Sequence, residues 1–253
     1  MLAAARVLPV VSRLPLRATV RLASTTSVMM PIEPKDIPTV SKQGLGKRLS
    51  IWRAEGTRLT GRGCSKWRPA AETLPLLTRQ IDMIVNAANK SLLGGGGVDG
   101  AIHRAAGPDL LRECRGLRGA DTGEVKVTKG YELPAKYIAH AVGPIYSESM
   151  KEMCAAQLEN CYRSALEQCS DIGCTEIAFP SISTGIYGYP IEDATEIAIE
   201  TTKDFLEKDD KVSSTGVVQT DRQVKQVVFC VFSPEDEEVY KKLVKSIVPT
   251  NDA

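Results

Sequence analysis

Apolar residues in this chain gather into short unbroken runs, with longer mixed stretches between them. The runs at 48–53, 81–85, 125–128, 137–141, 175–179 and 226–232 read as strands of the kind buried on both faces of a sheet. The intervening stretches at 98–106, 109–117, 151–170, 191–207 and 235–247 read as helices. Strand and helix therefore alternate, which predicts an α/β fold whose sheet carries helices on both sides. No internal repeat interrupts this order.

One of these strands leads directly into candidate chemistry. Ile84-Val85 runs into Asn86-Ala87-Ala88-Asn89; Lys90-Ser91-Leu92-Leu93 and the four glycines Gly94, Gly95, Gly96 and Gly97 follow, and then Val98-Asp99-Gly100-Ala101-Ile102-His103. Ligands of α/β domains collect where parallel strands end. Glycine lets backbone N–H groups approach a phosphate with no Cβ in the way. Asp99 and His103, four apart, share one face of the predicted helix. The run thus describes a strand, a phosphate loop, and a helix that opens by aiming a carboxylate and an imidazole at the ligand. For Asp99 the plainer role is a helix N-terminal acid set against the macrodipole. His103 could equally be a structural histidine, and Asn86 reads as a pin for the loop.

Other phosphate motifs fit less well. Gly95-Gly96-Gly97-Val98-Asp99-Gly100 has the spacing of a dinucleotide fingerprint. That fingerprint wants an acidic residue closing the next strand about 20 residues on, and Asp121 sits in a turn sequence instead. A P-loop would need Gly-Lys-Ser/Thr after the glycines, and none is there. A second glycine-punctuated loop follows the strand at 175–179: Ser181-Ile182-Ser183-Thr184-Gly185-Ile186-Tyr187-Gly188. Pro190 then suits the first turn of a helix, with Glu192 and Asp193 near its positive end. Two such loops at the ends of parallel strands could hold a diphosphate between them. Tyr187 could stack on a ribose or base, or simply close the loop as a surface aromatic.

Together, Asn86-Ala87-Ala88-Asn89, the segment from Leu92 to Gly107 and the segment from Ala178 to Pro190 resemble the macrodomain family, and in particular its MacroD-type ADP-ribosyl hydrolases. The segments from Gly130 to Ile138 and from His140 to Pro144 also fit, and the resemblance spans roughly 45–248. It implies a three-layer α/β/α fold with a mixed central sheet. It implies ADP-ribose, O-acetyl-ADP-ribose and mono-ADP-ribosylated proteins as partners, no cofactor and no metal. Asn89, Asp99 and His103 become the catalytic set, with Asn89 holding the distal ribose and Asp99 positioning the attacking water. Asn86, Gly94, Gly95, Gly96, Gly97, Val98, Ser183, Thr184, Gly185, Ile186 and Tyr187 become ligand-binding. Glu55 stands where the family's Gly-Asp-Ile-Thr motif places an adenine-binding Asp, in Trp52-Arg53-Ala54-Glu55-Gly56-Thr57. The alternative within the family is a reader that binds ADP-ribose without turning it over. A weaker third alternative is a defunct fold.

Two stretches depart from the family pattern. One, near 58–80, carries Arg58, Arg62, Lys66, Arg68 and Arg79 against Glu72 alone; the other lies near 213–223. Each reads as a functional insertion, a disordered one or translated intron. Residues 1–30 contain Arg6, Arg13, Arg17 and Arg21, several hydroxyl residues and no acid, the composition of a mitochondrial transit peptide. A leader on a cytosolic or nuclear protein is the alternative. Residues 31–44 form a proline-bearing linker and 249–253 a tail.

Composition narrows the remaining classes. The chain has 253 residues, 43% of them hydrophobic, enough for one sizeable core. A net charge of +1 gives no electrostatic case for duplex nucleic acid. No apolar run is long enough to span a bilayer, so no membrane partner is expected. Seven cysteines without a C-x-x-C and two histidines without paired spacing predict reduced thiols and no structural zinc. The expected state is a monomer.

Overall fold

The computed structural model describes residues 48–53, 56–61, 64–69, 75–214 and 224–248, all within one unit spanning Asp36–Ala253. Its centre is a six-stranded sheet made of β1 (Leu49–Arg53), β4 (Met83–Ala87), β5 (Val125–Lys129), β6 (Tyr137–Ala141), β7 (Glu176–Pro180) and β8 (Gln226–Val231). The strand order is β1-β8-β7-β4-β6-β5. Every neighbouring pair is parallel except β5 with β6, so the sheet is mixed.

Alternation along each strand builds two cores. Met83, Val85, Ile177, Phe179, Val227 and Phe229 face one side, where α4 (Lys151–Ile172), α5 (Ile191–Ser214) and α6 (Pro234–Ile247) pack. Ile84, Ile138, Ala178 and Val228 face the other, beneath α2 (Gly97–Ala106) and α3 (Pro108–Leu117). That makes three layers, α/β/α. All six strands and five helices expected from the apolar pattern are present, with ends shifted by a few residues. The larger difference is α5, which runs to Ser214 and not 207. Its apolar pattern fades after Leu206, but the polar residues that follow are helix-compatible and the next breaker is Gly216.

No element was expected between 53 and 81, and that expectation is corrected. A separate antiparallel hairpin, β2 (Gly56–Gly61) and β3 (Cys64–Pro69), fills much of the first departing stretch, and a one-turn helix α1 (Pro75–Thr78) follows. The two strands pair from Gly56 with Pro69 to Gly61 with Cys64. Arg79 at the stretch's end lies 4.5 Å over the ring of Trp52, tying it to β1. Residues 1–47, 215–223 and 249–253 lie outside the described residues, so the leader, the linker, most of the second departing stretch and the tail are not placed. No described helix is long and apolar enough to cross a membrane.

Asp82, just before β4, locks three elements together. Its carboxylate accepts from the Thr175 N–H (2.8 Å), the Thr175 hydroxyl (3.1 Å) and Lys136 Nζ (2.7 Å). Burial works to raise its pKa, but these donors outweigh it and hold the carboxyl below its ordinary value of 3.8. A depressed carboxyl contributes stability that is present above the unfolded value and lost as pH falls through the folded one. Asp82→Asn is expected to lower Tm by roughly 2–4 °C at pH 7. In a thermal-unfolding series, that gap should narrow as the pH drops below about 4.

Candidate functional site

A cavity of about 460 Å³ opens at the carboxyl ends of β4, β7 and β8. Ala87 ends β4 and Ala88 and Asn89 follow it, Ser181 to Tyr187 follow β7, and Phe232 follows β8. Gly95, Gly96, Gly97, Val98 and Asp99 close one wall as the entry to α2. The first N–H groups of a helix have no intrahelical acceptor. At α2 no side chain caps them, because the N-cap is Gly96. The wall therefore offers backbone donors and the positive end of a helix dipole.

The first loop is shaped by close approaches that only glycine permits. A Cβ on Gly100 would fall 2.3 Å from the Gly95 carbonyl oxygen, so the first turn of α2 lies directly against the loop. On the opposite wall, Thr184 Oγ1 donates to the Ser181 carbonyl (3.1 Å) and the Tyr189 N–H to the Ser183 carbonyl (3.0 Å). The Tyr146 N–H reaches the Tyr187 carbonyl at 2.9 Å. Ile186 is 87% exposed, yet its Cδ1 comes within 3.7 Å of where a Gly96 Cβ would stand, so it bridges the two loops.

Asp99 is the buried charge of the site. Its Oδ1 accepts from Asn86 Nδ2 at 2.8 Å, and Oδ2 lies 3.5 Å from Asn89 Nδ2. Asn89 also donates to the Gly94 carbonyl (2.9 Å), while its own oxygen accepts from the Ser91 N–H and hydroxyl at 3.0 and 2.6 Å. Burial raises the Asp99 pKa, and the Asn86 bond and the nearby His103 oppose that rise. The result is a carboxylate with more basicity than an exposed one, partly held by amides and open to the cavity. His103 Nε2 stands 3.5 Å from Asp99 Oδ1 and is buried without a hydrogen bond.

Of the residues singled out from sequence, Asn89, Gly95, Gly96, Gly97, Val98, Asp99, Ser183, Thr184, Gly185, Ile186 and Tyr187 line the cavity. Asn86, Gly94 and His103 stand behind that lining. Gly94 is tied to it by its bond from Asn89, Asn86 by its bonds to Asp99 and from the Ala88 N–H, and His103 by Asp99. Glu55 lies outside the described residues. β1 does pair with β8 up to Arg53 and Val231, which brings its end beside Phe232.

Sequence reasoning missed Gly143, Ile191, Phe232 and Asp236, all of which line the cavity. Phe232 could have been found, being an aromatic at the carboxyl end of a predicted parallel strand. Asp236 had a signal too: Ser233-Pro234-Glu235-Asp236 is a helix start, and the Asp236 N–H bonds Ser233 Oγ at 3.0 Å. Burial raises the Asp236 carboxyl as well.

Among the described residues, one set of donor atoms is close enough to suggest a metal: a ring nitrogen of His103, Cys114 Sγ and a ring nitrogen of His140 lie within 4.8 Å of one another. Both ring nitrogens of His140 are already engaged, Nδ1 with Asn86 (3.1 Å) and Nε2 with Thr128 Oγ1 (2.9 Å). Burial pushes the Cys114 thiol up to about 11, so it is not a thiolate at neutral pH. With His140 committed at both nitrogens and the Cys114 thiol protonated, the set fits a metal poorly.

Comparison with known proteins accords with this geometry. A family model described as Macro domain matches residues 85–198. A macro domain-containing protein of Chlorobaculum tepidum is 52% identical over 162 residues, covering 64% of this chain and 87% of that protein. ADP-ribose glycohydrolase MACROD2 of Homo sapiens is 48% identical over 173 residues, which are 68% of this chain and 38% of that relative. The chain thus spans well under half the length of that relative. Among solved structures, the Trypanosoma brucei macrodomain in complex with ADP-ribose superposes with a TM-score of 0.66 at 36% identity, covering 85% of this chain and 77% of that one.

Gly100→Ala is expected to destabilise the protein by about 1–3 kcal/mol, because a backbone carbonyl cannot yield as a side-chain tip can. Chemical denaturation checks it. A wild-type midpoint would mean that the loop and α2 are not packed as described.

Proposed function

This chain belongs to the macro domain family, and from that premise we propose that it is an ADP-ribosyl ester hydrolase. The substrates on this reading are proteins mono-ADP-ribosylated on acidic side chains and O-acetyl-ADP-ribose. The observation that carries the proposal is Asp99: a buried carboxylate of raised pKa, opening between Asn89 and the α2 N-terminus onto the cavity. Relatives named ADP-ribose glycohydrolase and a similar macrodomain structure bearing ADP-ribose support it.

The cavity suits the ligand end to end. The diphosphate lies between the two loops, where the uncapped N–H groups of α2 offset its charge. The adenosine end faces Phe232 and Asp236, and the distal ribose faces Asn89 and Asp99. Asn89, its oxygen held by Ser91, grips the ribose hydroxyls. Asp99 takes a proton from the attacking water. Water adds, the ester between ribose and acyl group breaks, and the products are ADP-ribose and the free carboxylate (or acetate). His103, within 3.5 Å of Asp99, stabilises the carboxylate from the side away from the ligand.

Asp99→Ala should cut release of ADP-ribose from a glutamate-modified protein by about 100-fold or more. Its affinity for free ADP-ribose, measured by calorimetry, should change less than about tenfold. Binding by wild type without turnover would make the chain a reader. Absence of both would remove ADP-ribose from the account.

We also propose that residues 1–30 direct mitochondrial import, on the strength of Arg6, Arg13, Arg17 and Arg21 with no acidic residue among them. A fluorescent reporter carrying residues 1–30 should then colocalise with mitochondria. A diffuse signal in the cytosol or nucleus would contradict that.

A further inference from the structure

Beneath Asp99 a hydrogen-bond chain runs away from the cavity to the edge of the sheet. Asn86 Nδ2 gives one hydrogen to Asp99 Oδ1 (2.8 Å) and the other to His140 Nδ1 (3.1 Å). The Asn86 oxygen is buried without a partner, so that oxygen does not set the side chain's orientation. Turned over, the amide would occupy the same space but push its oxygen against the carboxylate. That repulsion opposes the turn, and the acceptor at His140 Nδ1 adds to it by holding the second amide hydrogen.

That acceptor exists only while the ring's proton sits on Nε2. His140 Nε2 lies 2.9 Å from Thr128 Oγ1 on the edge strand β5, and the Thr128 hydroxyl in turn faces the Lys129 carbonyl at 3.3 Å. With its hydrogen directed at that carbonyl, Thr128 presents a lone pair to Nε2–H. Burial, helped by the neighbouring His103, pushes the His140 pKa down to about 3, so the ring stays neutral under physiological conditions. The titratable groups around the Asp99–Asn86 pair are His103 on α2, Cys114 on α3, with its sulfur 3.8 Å from His140 Nε2, and His140 on β6.

We propose that His140 is a positioning residue for the reaction: backed by Thr128, it fixes the Asn86 amide as a donor to Asp99, which keeps that carboxylate ionised and oriented toward the cavity. The inference rests on the hydrolase reading for its link to turnover, but its structural core can be tested without any turnover.

Three variants separate the roles. His140→Leu removes the acceptor, His140→Asn restores an acceptor at the Nδ1 position, and Thr128→Val frees the ring proton to move while leaving His140 in place. Carboxyl 13C NMR follows the Asp99 titration, and steady-state kinetics follow ester hydrolysis. In His140→Leu the Asp99 midpoint should rise by about one pH unit. Its kcat should fall roughly 10- to 100-fold with KM within about threefold of wild type. Thr128→Val should shift both in the same direction but less, and His140→Asn should recover most of the loss. A midpoint unmoved in both His140→Leu and Thr128→Val overturns the proposal, as does a His140→Asn variant that titrates like His140→Leu. Should His140→Leu fail to fold, Thr128→Val decides alone. If wild type releases no ADP-ribose, the hydrolase reading falls, while the titration still decides the role of His140.

Discussion

The cavity exists because β4 and β7 pair only over Met83–Ile177 and Ile84–Ala178. β4 continues to Ala87 and β7 to Pro180, but no further partners join them. Past that point, the loops Ala87–Asn89 and Ser181–Thr184 form opposite sides of one opening. β4 also pairs along its full length with β6, so its end is anchored on that side. Helices leave the edge toward both faces of the sheet, α2 to one and α5 to the other. A site at such a point needs no extra domain: backbone donors, two amides and a carboxylate arrive there as the strands run out.

Asp99 shows how burial and hydrogen bonding divide the work. Desolvation alone would tend to neutralise the group, and the Asn86 amide and nearby imidazole oppose that. The balance suits a base, a carboxyl that holds a proton more readily than a solvated one. The charge is supported by β4 through Asn86, by the first loop through Asn89 and by its own helix through His103, so its position depends on all three.

Much of this was legible in the sequence, and what was not has physical reasons. The apolar runs gave the strands because both faces of a parallel sheet are buried, as Met83, Ile84 and Val85 show. The loops were readable because glycine clusters and amides are local signals. The hairpin at Gly56–Pro69 was missed because its residues mix basic and small side chains with few aliphatics, which hides a period of two. His140 looked like an ordinary strand residue. Its meaning lies in Asn86, 54 residues away, and in Thr128 on an antiparallel neighbour, a pairing no local pattern encodes. Phe232 and Asp236 were overlooked because β8, the strand that leads into them, stands two places from β4 in the sheet, and strand order is not written in periodicity.

The measurement closest to the central claim is the pH dependence of single-turnover hydrolysis of an ADP-ribosyl-glutamate peptide. If Asp99 is the base, the rate should rise with pH through one ionisation whose midpoint lies above the ordinary carboxylate range, and Asp99→Asn should abolish that limb. A rate independent of pH, or the same limb persisting in Asp99→Asn, would contradict the account.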